Sequence, residues 1–242
     1  MIRTLIWLFT AVILAFLYLP FILVFWLFRS RKETAGPNKA AAAMLKPAVL
    51  ILAKVAGAKV IVKGKENLTE DASLYVGNHQ SDFDALIALS YLGSMKSMVI
   101  KKELMKIPVV NLLLEILAGI PLDRENMRQS LKAIKTAGEK IKAGNSVLIF
   151  PEGTRSKGPD MGEFKHGAFK AALDAKAPIT VFAIDRSYKC LEENHRLKAA
   201  MIYLSILPVI RPEEYEGMKA SALGEMVQER IREELSDMRK TY

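Results

Sequence analysis

Hydrophobic and polar positions divide the chain into two unlike parts. Residues 4–28 carry no charged side chain and are dominated by Leu, Ile, Val, Phe and Trp. As a helix this run is about 37 Å long at ~1.5 Å per residue, enough to cross a hydrocarbon core of about 30 Å. It is apolar on every face, and Trp7, Tyr18 and Trp26 suit a membrane interface. A secretory signal is the competing reading. The run is longer than the usual apolar core of such a signal, and no small-residue cleavage site closes it. Arg29, Arg31 and Lys32 follow at once, and by the positive-inside rule they place the rest of the chain on the cytoplasmic side. Whether the helix spans or re-enters one leaflet, with Pro20 bending it, stays open at this level.

Residues 33–38 are polar and contain the turn signal Gly36-Pro37. Residues 39–59 form a second apolar stretch with spaced lysines. On a helical wheel Lys39, Lys46 and Lys54 fall within about 80° of one another, which fits a helix lying in the headgroup plane better than a second crossing. The alternative is a helix packed on the following domain, with Pro47 able to kink it in either case. From residue 60 the pattern alternates. Residues 60–63, 74–76, 97–100, 146–150, 179–184 and 201–206 read as short strands, and 85–92, 109–118, 127–143, 165–175 and 220–238 carry helical periodicity. The expected organisation is a membrane-anchoring pair of helices over 1–59, followed by an α/β domain over 60–242. Its central sheet is expected to be mixed and largely parallel, flanked by helices.

Composition narrows the function classes. With 51% hydrophobic and 25% charged residues the chain is too apolar for disorder. The single cysteine, Cys190, excludes an internal disulfide framework and fits a reducing compartment. A net charge of +9 calls for an anionic partner, such as lipid headgroups or an acidic carrier. No zinc-finger spacing or aromatic–basic interleaving is present, so no nucleic acid is expected.

Candidate chemistry sits in three polar segments. Asn78-His79-Gln80-Ser81-Asp82-Phe83-Asp84 lies between a strand and a helix. There a histidine with a carboxylate five residues on can accept a proton from a hydroxyl, the carboxylate holding the ring in one tautomer. Ser81 and Asp84 also have the spacing of a capping box, so Asp84 has a purely structural reading. Phe150-Pro151-Glu152-Gly153-Thr154-Arg155-Ser156 follows a strand, where open α/β sheets bind ligands, and its arginine suits a phosphate. It is not a P-loop, because the required Gly-Lys-Ser/Thr order is missing. Gly119-Ile120-Pro121-Leu122-Asp123-Arg124 supplies another arginine. Lys101, Lys102, Lys106 and Lys165 are candidates for steering an anion, and the backbone around Phe164-Lys165-His166-Gly167 opens a helix that can receive one. No spaced histidine pair or cysteine cluster calls for a metal, and no Gly-x-Ser-x-Gly elbow for a serine hydrolase.

In this order the segments His79-x-x-x-x-Asp84, Gly119–Arg124, Phe150–Ser156 and Ala177-Pro178-Ile179 resemble the four blocks of the glycerolipid acyltransferase family, over roughly residues 74–184. Two positions depart from the family pattern: Pro121-Leu122 stands where a bulky aromatic is common, and Val181 where a second proline is common. The resemblance implies His79 as general base and Asp84 as the group that orients and charge-stabilises it. Arg124, Glu152, Gly153, Thr154 and Arg155 would hold a glycerol phosphate. It further implies transfer of an acyl group from acyl-coenzyme A or acyl carrier protein to the sn-2 hydroxyl of lysophosphatidic acid. Phosphatidic acid would form at the cytoplasmic side of the cell inner membrane or cytoplasmic membrane, with no cofactor. A relative acting on glycerol 3-phosphate or another lysolipid, and a non-catalytic lipid-binding protein, are the alternatives.

Overall fold

A computed structural model describes residues 1–29, 32, 34–94 and 96–242. Arg31 of the basic exit and Glu33 of the polar link lie outside the described residues. The first helix, α1 (Ile2–Leu27), leaves most of its large apolar side chains exposed, with only Ile22 buried and Trp7, Tyr18, Phe25 and Trp26 partly covered. That exposure fits a lipid environment better than water. Helix α2 (Lys39–Ala56) starts where the Asn38 side chain accepts the Ala41 amide at 3.0 Å. It buries a small-residue face, including Ala41, Ala42, Ala48, Ala53 and Ala56, in a close approach to its neighbours. Lys39, Lys46 and Lys54 are exposed. Helix α2 therefore has both features read from the sequence, a packed face and a lysine-bearing one. Trp7 fastens α1 to it by donating its indole N–H to the Leu52 carbonyl at 2.9 Å.

The remaining elements are β1 (Ala58–Lys63), β2 (Leu74–Gly77), α3 (Phe83–Tyr91), β3 (Ser97–Lys101), α4 (Pro108–Ile116), β4 (Ile120–Leu122), α5 (Met127–Lys142), β5 (Val147–Ile149), α6 (Lys170–Ala175), β6 (Ile179–Asp185), β7 (Ala200–Ile206) and α7 (Ala220–Thr241). The seven strands form one sheet in the order β1-β7-β6-β2-β5-β3-β4. All neighbours are parallel except β6 and β7. The α/β class and the mixed, largely parallel sheet are as expected, and the six expected strands recur to within two residues at each end.

Two details differ. The stretch 165–175 divides into a 3-10 turn, His166–Phe169, and the short α6. Strand β4 was not anticipated, because Pro121 interrupts a three-residue apolar segment. The proline is tolerated because β4 is an edge strand, bonded to β3 alone. The core lies on both faces of the sheet. All seven residues of β6 are buried, as is every residue of β2 and β5, which explains why these strands read as continuous apolar runs.

Candidate active site

Strands β2, β5, β3 and β4 run parallel and side by side, so their carboxyl ends share one edge of the sheet. The chain leaves β2 into Asn78-His79, β5 into Phe150-Pro151, β3 at Lys101 and β4 into Asp123-Arg124. Segments far apart in sequence thus meet around one cavity of about 820 Å³. Topology alone brings them together.

The turn after β2 is built before it is used. Asn78 is fully buried and continues the strand ladder with its side chain: its amide donates to the Ile184 carbonyl and its carbonyl accepts the Ile184 amide, both at 2.8 Å. The backbone carbonyls of His79 and Gln80 accept amides from Ser156 and Lys157 at 2.8 and 3.2 Å. Gln80 is buried against Asp185, which α7 holds through Arg239 at 3.2 Å. These bonds leave the turn little freedom.

His79 Nδ1 lies 2.8 Å from Asp84 Oδ2. The same oxygen accepts the backbone amides of Gln80 at 2.6 Å and Ser81 at 2.7 Å, and the Asp84 side chain is fully buried. One Asp84 oxygen therefore both caps the turn and holds the His79 ring, so the structural reading of Asp84 does not displace the other. With Nδ1 donating to a carboxylate, Nε2 is the ring nitrogen left with a free lone pair. The ring stacks on Phe150 at 4.2 Å, with 16% of the side chain exposed, and it lines the cavity.

Arg124, Gly153, Thr154 and Arg155 also line the cavity, with Lys101 and Lys165 at its rim. Among the described residues no carboxylate lies within ion-pair distance of Arg124. Arg155 uses Nη1 alone for Asp82 and for Glu192, leaving the rest of its five-donor fork unengaged by these partners. Gly153 has φ +71°, and an added Cβ there would meet the Lys165 side chain at 3.2 Å. The left-handed backbone disfavours a side-chain residue here, and the end of the Lys165 side chain would have to shift to admit one.

Glu152 is placed differently from its neighbours. It does not face the cavity; it is buried, and its two oxygens accept the His79 amide at 2.6 Å and the Gly162 amide at 2.9 Å. Burial pushes its carboxyl up to about 7, against the opposing pull of those two amides. Lys102 is committed to Asp123 at 2.5 Å, and neither it nor Lys106 lines the cavity. Among the described residues no group of three His, Cys, Asp or Glu side chains is disposed to hold a metal.

Several participants escaped the sequence reading. Lys157 joins the cationic rim, and Met98, Ile100, Leu122, Leu131, Ile134 and Ile149 give the cavity an apolar wall. Leu122 is one of the two departures from the family pattern, and here it faces the cavity. The other, Val181, is core: it is fully buried opposite Val76. Glu192, in a short 3-10 turn, binds Ser81, Asp82 and Arg155. It sits in the polar run Glu192-Glu193-Asn194-His195, which has no periodicity to mark one acid from the next.

Residues 59–185 match the acyltransferase family. A probable 1-acyl-sn-glycerol-3-phosphate acyltransferase of Mycoplasma genitalium is 35% identical over 149 residues, 60% of this chain and 55% of that one. The protein of that name in Borreliella burgdorferi is 30% identical over 178 residues, 72% of this chain and 71% of that one. The chain spans 55% and 57% of the lengths of the Mycoplasma genitalium and Mycoplasma pneumoniae relatives it matches. Its fold is that of the crystal structure of the 1-acyl-sn-glycerophosphate (LPA) acyltransferase PlsC from Thermotoga maritima. The TM-score is 0.83 at 24% identity, over 98% of this chain and 95% of that one.

Proposed function

The chain belongs to the acyltransferase family, and on that premise we propose that it transfers a fatty acyl group from acyl-coenzyme A or acyl carrier protein to the sn-2 hydroxyl of lysophosphatidic acid. The product is phosphatidic acid, made for phospholipid biosynthesis. The observation that carries this reading is the His79 Nδ1–Asp84 Oδ2 bond of 2.8 Å, at the mouth of a cavity with both cationic and apolar walls.

In this reaction His79 Nε2 takes the proton of the acceptor hydroxyl as its oxygen attacks the thioester carbonyl carbon. Asp84 faces the imidazolium that forms. The tetrahedral intermediate collapses with cleavage of the C–S bond, and the thiolate leaves with the proton returned by His79. One ester forms, one thioester breaks, and no acyl-enzyme intervenes. Holding both substrates in register converts a bimolecular step into an effectively unimolecular one.

Arg124 and the free edge of Arg155 bind the glycerol phosphate, flanked by Gly153 and Thr154. Lys101, Lys157 and Lys165 raise the local potential for two anionic substrates. Glu152 positions: it fixes the His79 backbone and does not touch the phosphate. The apolar wall receives acyl chain. Helix α1 keeps the cavity at a bilayer, with the domain on the cytoplasmic side, where the basic residues after α1 and the soluble donors belong.

An acceptor panel tests the substrate. Lysophosphatidic acid, glycerol 3-phosphate and lysophosphatidylcholine are supplied with acyl-coenzyme A and, in parallel, with acyl carrier protein carrying the same acyl group, and products are identified by mass. Phosphatidic acid from the first, at least ~10-fold faster than product from the others, is the expected result: the two arginines suit a phosphate monoester, which lysophosphatidylcholine lacks, and the apolar wall suits an acyl chain, which glycerol 3-phosphate lacks. Faster acylation of glycerol 3-phosphate replaces the acceptor assignment, and no acylation of any acceptor from either donor removes the activity.

A further inference from the structure

The acyltransferase match ends at residue 185, yet one acidic side chain beyond it reaches into the site. The Glu192 carboxylate has only 5% of its surface exposed. Oε2 accepts the Ser81 hydroxyl at 2.7 Å, and Oε1 accepts the Asp82 amide at 2.9 Å and Arg155 Nη1 at 3.2 Å. Ser81 in turn accepts the Phe83 amide at 3.1 Å, at the start of α3. The backbone bonds from Ser156 and Lys157 and the Glu152 carboxylate tie this turn to the 150–157 loop at His79 and Gln80; Glu192 adds the side-chain link, from Ser81 and Asp82 to Arg155 itself.

We infer that Glu192 is a positioning residue that sets the distance between the proton-accepting histidine and the phosphate-binding arginine. The inference rests on the function proposed above for its catalytic consequence, and on geometry alone for its structural one. Arg155 has two acidic partners of unlike character. Asp82 pairs with the same Nη1, but 62% of its side chain is exposed and it lines the cavity. The Glu192 side chain is only 5% exposed, within a half-buried residue, and carries two further hydrogen bonds. An arriving phosphate therefore displaces Asp82 at little cost, because an exposed ion pair is weak. Breaking the Glu192 contact strands a buried charge, so it persists. Arg155 stays anchored at one nitrogen while the remaining donors turn to the phosphate, at a separation from His79 that Glu192 fixes.

Glu192→Ala removes all three bonds; Glu192→Gln keeps the shape and one acceptor oxygen, able to take the Asp82 amide and Arg155, while its NH2 can only donate towards the Ser81 hydroxyl oxygen, and the charge is lost. Two measurements are made on the full chain in detergent. Hydrogen exchange by mass spectrometry follows the peptide spanning residues 79–84. Glu192→Ala is expected to speed its exchange by roughly 10-fold or more, as expected when a buried anchor of a local segment is lost. Peptides from β1 and β7 should remain as in wild type, and Glu192→Gln should restore most of the protection. Kinetics then separate the substrates. In Glu192→Ala the KM for lysophosphatidic acid is expected to rise about 10-fold, the effect of losing one charge-assisted contact, with the KM for acyl-coenzyme A within about twofold of wild type.

Unchanged exchange at 79–84 overturns the inference, as does faster exchange spread evenly over the whole domain. Equal rises in both KM values overturn its catalytic half. If wild type transfers no acyl group, the proposed function fails, and the exchange measurement still decides whether Glu192 anchors the turn.

Discussion

A single carboxylate oxygen, Asp84 Oδ2, collects the His79 ring and two backbone amides. Asp84→Ala is therefore expected to lower kcat by roughly 10²–10⁴-fold. It should also lower stability, because the buried Gln80 and Ser81 amides lose their acceptor, at about 1–3 kcal/mol for a buried group left unpaired. Asp84→Asn separates the two effects: its carbonyl can hold the amides, so stability should stay closer to wild type while kcat still falls. Steady-state rates with thermal unfolding measure both, and an Asn variant of wild-type rate contradicts the electrostatic role. At Glu152 the sign of a pH effect is fixed by burial. Its carboxyl is raised from 4.5 to about 7, so the folded state holds the proton more tightly than the unfolded one. The contribution to stability is fully present below pH 4.5 and is lost as pH rises to about 7. The loss is about 3 kcal/mol at ~1.4 kcal/mol per tenfold. Glu152→Gln should flatten the pH dependence of unfolding over this window, and an unaltered slope counts against burial as the cause. His79, Asp84, Arg124 and Arg155 were legible in the sequence because each stands in a short polar block at the end of an apolar run. The inward turn of Glu152 was not, because burial depends on Gly162 and on the His79 backbone, which no local pattern encodes.

At the scale of elements, strand ends do most of the positioning. Gly77 closes β2 directly before the active turn, and a Cβ placed there would lie 2.1 Å from the Phe182 ring. Phe182 is fully buried and stands edge-on to Phe150, whose ring stacks on His79. Gly77→Ala is expected to cost about 1–3 kcal/mol through overpacking. Because the displaced rings support His79, kcat should fall as well. A variant with wild-type melting temperature and rate contradicts this line of contacts. The buried strands were readable from their length and β-branched content. Strand β4 was not, since three residues with a central proline carry no period and acquire their conformation from pairing with β3. The pairing order of the sheet, which brings Arg124 round to His79, was also beyond a local reading: it joins strands far apart in sequence, over a core to which α5 and α7 contribute.

For the whole molecule, the long apolar helix and the basic domain address two phases. The uncovered side chains of α1 are consistent with membrane association and make it the proposed anchor, whereas α2 is held against the domain by its alanine face. Deleting residues 1–36 should move the protein from the membrane pellet to the supernatant at high salt, where charge attraction is screened. Retention in the pellet would assign the anchor elsewhere. In the proposed reaction His79 activates an acceptor hydroxyl for attack on a thioester. The most direct test of that step is the rate of free-thiol release from acyl-coenzyme A and from acyl carrier protein, with lysophosphatidic acid present, for wild type and His79→Ala side by side. Release by wild type with one or both donors, falling by at least ~10²-fold in His79→Ala, is the expected result for loss of a general base. Release that continues near the wild-type rate in His79→Ala would contradict it.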